Sequence, residues 1–373
     1  MGFQVWAFFP ALLAALALAA CATQEPPARA PFRPRAALPP SLPPAPSFAP
    51  AGPSPRSDPF AGLAGWRDDD HVAAFEAFKA ACPWARNPGA APACAAAGAA
   101  GRLSEAQARA FFENRFRPEP VPGAGLLTAY FSPVYEARTA PGGDFTAPVR
   151  PRPADLPPAD RAAASQIPYA DRASIEARPA AGALAWMRPE ELFFLQIQGS
   201  GTLVFPGRAR ARAIFDGSNG APFRGIAAPM REQGLLADTD TSGEALRAWL
   251  AAHRGWKAQA IMRLDPRYVF FRLAPDDGAA PAGAAGARLI AGRSVAVDPA
   301  RHALGELLWI DAASPALAGA FPTYRRLTVA LDVGGAIKGE ARADLYLGGG
   351  PSAGLEAGRV RHALRLWRLV PVG

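Results

Sequence analysis

From Asp58 onward the apolar positions fall mainly into short runs broken by Gly and Pro. LLTAYF, ELFFLQIQGSG, TLVF, YVFFRL, SVAVD, ELLWID, LTVALDVGG, ADLYLG and LRLWRLV are the clearest. Short apolar runs separated by turn residues predict strands, and so many of them predict β-barrels or sandwiches. Three stretches carry helical spacing instead. In HVAAFEAFKAAC, Val72, Phe75 and Phe78 recur on one side, behind Asp68, Asp69 and Asp70, whose charges suit a helix N-terminus. Ser104 and Gln107 form a capping box that opens EAQARAFFENRF, with Phe111, Phe112 and Phe116 together. GEALRAWLAAH (Gly243–His253) predicts one more helix. There is no internal repeat.

The 373 residues predict two domains, or three. Residues 5–20 are an apolar run of signal-peptide length ending in Leu18-Ala19-Ala20-Cys21. This resembles a bacterial lipobox, with small residues for the peptidase and the Cys21 thiol as the lipidation site. Ala22 in place of Asp is similar to outer-membrane sorting. Residues 1–10 lack Lys and Arg, a departure from the basic start of such signals. The alternative is a cleaved secretory signal with an incidental cysteine. Residues 22–59 hold 13 of the 41 prolines and predict an extended linker. Its full reach is on the order of 100 Å at polyproline spacing. The expected organisation is therefore 1–21 as signal peptide and 22–59 as Pro-rich tether, with the folded part behind them.

Composition narrows the class. Half the residues are hydrophobic and 19% are charged, which excludes a highly charged disordered chain. One N-terminal apolar run excludes a multi-span membrane protein. The net charge is +8, and only Lys79, Lys257 and Lys338 among the 40 basic residues are Lys. An Arg excess suits carboxylate or phosphate recognition. No nucleic-acid module is visible, so nucleic acid is not an expected partner. Cys82 and Cys94 form a disulfide in an oxidising compartment, or else stay as two buried thiols.

Several chemistries find no motif. His71, His253, His302 and His362 are scattered, and no CxxC exists, so no metal site is expected. Gly199-Ser200-Gly201 is not a nucleophile elbow, GGAIKG lacks the order of a phosphate loop, and GGGPSAG is not a dinucleotide fingerprint. No cofactor is expected. What remains are carboxylates. Asp332 ends the apolar strand LTVALD before a Gly-Gly turn, and Asp298 ends RSVAVD in the same way. In ADLYLG, alternation puts Asp344 and Tyr346 on one face and Leu345 and Leu347 on the other. Acids at the rim of a barrel can meet a glycan and can be desolvated. Acids at strand ends are also ordinary turn formers.

LTVALDVGGAIKGEARADLYLGGGPSAGLEAGRV (Leu327–Val360) resembles the carboxy-terminal signature of the membrane-bound lytic murein transglycosylase A family. LLTAYFSPVYEAR, ELFFLQIQGSGTLVF, DPRYVFFR and RSVAVDP match the same family in the same order. The resemblance implies a mainly β fold. A double-psi β-barrel with three aspartates, residues 60–132 and 277–373, would carry a second β-barrel, 133–276, inserted into it. A few helices would flank them, and a groove between the two would hold a glycan strand. It implies Asp344 as catalytic acid with Asp332 and Asp298 in support, and glycan contact at Thr128, Tyr130, Gln196, Gln198, Gly199 and Ser200. Gln196 and Gln198, two apart, would share a strand face. Phe131 stands where this family often has Tyr and is given no polar role. Gly334, Gly335 and Gly339 are expected to be structural, with positive φ and close approach.

The activity implied is cleavage of the β-1,4 bond between N-acetylmuramic acid and N-acetylglucosamine, with closure of a 1,6-anhydro ring, in murein turnover. The chain would be a monomeric lipoprotein on the periplasmic face of the outer membrane, with murein glycan as substrate and murein synthases or hydrolases as candidate partners. An unperturbed Asp is only about 0.1% protonated at pH 7, so a proton donor here needs its pKa raised. Lys338 and Arg342 would oppose that, and both are expected to point away from Asp344. The alternatives are a non-catalytic murein-binding lipoprotein and a hydrolase pairing Asp344 with Asp332.

Overall fold

The computed structural model describes residues 58–157, 169–237, 239–313 and 323–372. The apolar leader, Cys21 and nearly all of the Pro-rich segment lie outside the described residues. No helix among the described residues is long and apolar enough to cross a membrane.

Thirteen strands are described. In chain order β1 (Phe116–Pro120) and β2 (Gly125–Ser132) come first. Next are β3 (Val134–Glu136), β4 (Ala147–Val149), β5 (Ala185–Met187), β6 (Ser200–Val204), β7 (Arg210–Ser218) and β8 (Val269–Pro275). The last are β9 (Ser294–Val297), β10 (Leu307–Ala313), β11 (Thr323–Val333), β12 (Arg342–Gly349) and β13 (Arg361–Pro371). The expected strands are therefore present, with one exception treated below.

Six of the seven strands of the larger sheet close into a ring, and β1 joins it through β13. β13 is long enough to pair with β10 along one edge and with β1 and then β2 along the other. β2 runs parallel to β12, β12 antiparallel to β9, β9 parallel to β11, and β11 antiparallel to β10, which closes the circuit. Closure removes the exposed edges that an open sheet would present. Leu127, Val295, Val297, Leu308, Ile310 and Leu345 fill the interior. The helices His71–Ala81, Ala91–Ala99 and Glu105–Arg115 cover part of the outside. Their Phe75, Phe78 and Phe112 join Trp309 and Leu307 from the other face of β10. This is why ELLWID reads as continuous apolar text: β10 is buried on both faces.

The capping box at Ser104 and Gln107 is present. The acidic run acts differently from the expectation. Asp70 caps the helix by accepting from Ala73 N at 2.8 Å. Asp69 instead binds Arg293 Nη1 and Leu327 N, each at 2.8 Å, tying this region to the residue before β9 and to the middle of β11. Cys82 and Cys94 are joined in a disulfide, with Cα atoms 5.4 Å apart.

The second sheet draws its strands from residues 134–275, in the order β3-β6-β7-β8, with β4 and β5 paired separately. Among the described residues no pairing closes it into a second ring. Instead the helices Pro189–Gln198, Gly243–Ala252 and Trp256–Met262 contribute Phe193, Leu195, Leu250 and Met262 to a core with Leu203 and Phe271.

Candidate active site

The ring brings four positions into one row. Asp332 on β11 stands opposite Ala296 on β9, Ala296 opposite Asp344 on β12, and Asp344 opposite Thr128 on β2. Two strand spacings of about 4.8 Å put the aspartate backbones roughly 10 Å apart, with only the methyl of Ala296 between them. Val295 and Val297 point into the barrel, so Ala296 faces outward, and Asp344 with it. Tyr346 pairs with Tyr130 further along, and their rings lie 5.3 Å apart.

Strict alternation in β11 would send Asp332 inward with Ala330. A bulge prevents this. Pairing passes from Ala330–Val295 to Asp332–Ala296, leaving Leu331 as an extra residue. A bulge re-aims the side chains beyond it, and here it turns Asp332 outward into the row.

Thr128 donates its hydroxyl to Asp344 Oδ1. Burial pushes the Asp344 carboxyl above the usual carboxylate range; Thr128 and the positive charge of Arg342 pull it down, and Asp332 pushes it up again. Asp332 accepts from Tyr130 OH at 2.8 Å and from the backbone N–H groups of Ala284 and Val333, each at 2.9 Å. Burial nonetheless raises its pKa, against those three donors. Burial and the Asp332 charge also raise the Tyr130 hydroxyl well above its ordinary value, so it stays a donor.

Asp298 is not in the row. Its carboxylate accepts from Gly339 N at 2.9 Å and Ala300 N at 3.2 Å, with Lys338 Nζ 3.8 Å away. The Gly339 bond leads the causes that hold its pKa below the usual value. Through these contacts Asp298 anchors the loop that leads into β12. Lys338 points to Asp298, as expected of a group kept from Asp344. Arg342 corrects its expectation: Nη2 donates to Thr128 Oγ1 at 2.8 Å, beside Asp344.

ELFFLQIQGSG is the exception among the strands. Pro189–Gln198 is a helix, opened by Pro189 with Glu190 and Glu191 in its first turn and stopped by Gly199 at φ 80°. An apolar run does not by itself separate a strand from a buried helix, and the Pro-Glu-Glu start and Gly stop carried the missing signal. Gln196 and Gln198 consequently do not share a strand face. Gln196 is buried, accepting from Arg172 Nη1 at 2.6 Å and donating to Val269 O at 3.2 Å. Each end of its amide therefore already has one partner inside the protein. Gln198 accepts the N–H of Phe131 at 3.1 Å, so Gly199 and Ser200 follow directly on a point of contact with β2. The Phe131 ring packs on Gly354, where an added Cβ would come within 2.8 Å of it, consistent with no polar role. Of the three loop glycines only Gly339 has positive φ, at 105°. Gly334 and Gly335 serve close approach, to Ile337 and to the Arg267 guanidinium.

Comparison with known families covers the same two parts of the chain. The MltA specific insert domain matches residues 126–272, and the 3D domain matches residues 293–370. Together they account for more than half of the chain. The chain belongs to the membrane-bound lytic murein transglycosylase A family. Its sequence is 32% identical over 252 residues to membrane-bound lytic murein transglycosylase A of Escherichia coli K12, a match spanning 65% of each chain. The crystal structure of membrane-bound lytic murein transglycosylase from Agrobacterium tumefaciens is similar with a TM-score of 0.74 and 29% identity, over 84% of this chain and 96% of that one. The structure of E. coli MltA with bound chitohexaose gives 0.65 and 26%, over 83% and 91%.

Within this family member, sequence reasoning missed three contributors. Ala296 spaces the aspartates, Ala284 donates to Asp332, and Arg342 reaches Thr128. Ala296 and Ala284 carry no chemical signature, because one acts by being small and the other through its backbone. Arg342 was visible but its direction was not.

Proposed function

We propose that this protein is a peptidoglycan lytic transglycosylase. Asp344 is its general acid and then its general base. The observation that carries the reading is the Asp332–Ala296–Asp344–Thr128 row. It sets an outward-facing carboxyl with raised pKa beside a second carboxylate on a packed barrel wall. The family membership and the chitohexaose bound by a structural relative support a β-1,4-linked amino-sugar strand as substrate. Thr128, Tyr130, Gln198, Gly199 and Ser200 would lie along the groove, with residues 133–276 forming one wall and the barrel of 60–132 and 277–373 the other.

Protonated Asp344 donates to the oxygen that links N-acetylmuramic acid C1 to N-acetylglucosamine. The C1–O bond breaks and its electron pair leaves on that oxygen, now a hydroxyl. Positive charge develops at C1 and its ring oxygen, and Asp332 with neighbouring dipoles steadies it. The muramic C6 hydroxyl attacks C1 as Asp344 takes its proton. The 1,6-anhydro ring closes, and Asp344 ends protonated as it began. Proximity lets this internal hydroxyl compete with water. Two-carboxylate hydrolases instead require water as the acceptor.

The relatives' membrane-bound name supports association with a membrane. We assign this to a lipid on Cys21, with residues 22–59 as tether and the periplasmic face of the outer membrane as the location. Mass spectrometry of digested sacculi tests the activity. Anhydro-muropeptides support it. Reducing ends would show a hydrolase, and no products a binding protein.

A further inference from the structure

The contact between Arg342 and Thr128 has a consequence for the proton on Asp344. A guanidinium has only donors, while a threonine hydroxyl has one hydrogen and two lone pairs. Arg342 Nη2 donates to Thr128 Oγ1 at 2.8 Å, so that oxygen must accept there. One lone pair is thereby used, and the hydroxyl's single hydrogen goes to Asp344 Oδ1. Arg342 is itself held by Ala343 O at 2.6 Å and Leu126 O at 3.3 Å through Nη1. Nothing among the described residues hydrogen-bonds Asp344 Oδ2, and its register neighbour Ala296 has no polar group.

We infer that Arg342 is a positioning residue that acts through Thr128 to keep the catalytic proton on Asp344 Oδ2. With Oδ1 occupied as an acceptor, the acid form carries its hydrogen on the oxygen left open to substrate. The inference rests on the reading of Asp344 as the acid, and goes beyond it by assigning the microscopic site of the proton. Arg342 also attracts the carboxylate form, which lowers the protonated fraction at a given pH.

The other groups facing Asp344 are accounted for. β2 brings Thr128 and Tyr130, β11 brings Asp332, and β9 brings the apolar Ala296. Arg361 on β13 stands in register with Thr128 and repels Arg342.

The test is the pH profile of kcat/KM on a soluble glycan strand. Arg342→Met removes a charge and a fixed donor that both favour the carboxylate, so the alkaline limb moves up by about one pH unit. The acid-side rate falls about tenfold, because the Asp344 carboxyl is no longer held in one orientation. Arg342→Lys restores part of both. Thr128→Val moves the limb in the same direction, and combining it with Arg342→Met adds little further loss of acid-side rate. A uniform loss at every pH with an unmoved limb, or fully multiplicative losses, overturns the inference. Thr128→Val leaves the Arg342 backbone contacts in place, so an unmoved limb in that variant decides the matter even if Arg342→Met does not fold. Asp344→Asn separates the two readings: activity retained there rejects Asp344 as the acid, whatever Arg342 does.

Discussion

Tyr130 donates its hydroxyl to Asp332 across two strands that are not neighbours in the ring, at 2.8 Å. β12 and β9 lie between those strands, and the Asp332 charge that the bond favours bears on Asp344. Removing the donor with Tyr130→Phe makes the Asp332 carboxylate less favourable and raises its pKa. More of it is then neutral, and it repels the Asp344 charge less. The alkaline limb of kcat/KM therefore moves down in pH, opposite to the direction for Arg342→Met. A pH profile that shifts upward would contradict this coupling.

Both aspartates carry raised pKa values, with burial the leading cause. A carboxyl whose folded pKa lies above its unfolded pKa binds more protons when folded. Stability then falls as pH rises from the unfolded value through the folded one. Asp344→Asn removes that cost above the folded pKa. The variant is expected to lose activity yet melt higher at pH 8, by roughly 3 °C. The gain should shrink as pH falls toward 4. Melting curves at the two pH values check it, and an Asn variant that is less stable at pH 8 would speak against a strained, desolvated acid.

Gln196→Ala leaves the Arg172 guanidinium and Val269 O each short of a partner in a buried place. A cost of about 2 kcal/mol is expected in denaturant unfolding. The KM of the folded fraction should stay near that of the parent. A large KM increase with unchanged stability would return Gln196 to the glycan groove.

The Cys82–Cys94 bond closes a short loop, with a sequence separation of 12. Replacing both cysteines by Ser is expected to cost about 2–3 kcal/mol, mostly by freeing the unfolded chain. The cysteines carry no catalytic role, so turnover at low temperature should be retained. Equal melting temperatures with and without reductant would show that the bridge contributes nothing.

Much of the barrel was legible because its strands are short apolar runs with clear Gly and Pro stops. Each of SVAVD, ELLWID, LTVALD and ADLYLG became a strand at the expected place. The helix Pro189–Gln198 was not legible from its run of Leu and Phe, since burial on several sides erases the periodicity that separates helix from strand. That single misreading also put Gln196 and Gln198 on one strand face, which the helix does not allow. Asp298 had two readings at the outset, and the sequence did not show that its carboxylate accepts from the backbone N–H of Gly339.

The residue types and their local spacing determined that this chain builds β structure and that carboxylates end or enter its strands. They also determined that Asp344 and Tyr346 share a face, because alternation along one strand needs no partner. Only the tertiary structure decided that Asp332 turns outward, that Ala296 holds it apart from Asp344, and that Arg342 reaches Thr128. Those relations depend on register between strands distant in sequence and on one bulge. A slip of one residue there would invert every side chain without changing a letter of the local pattern.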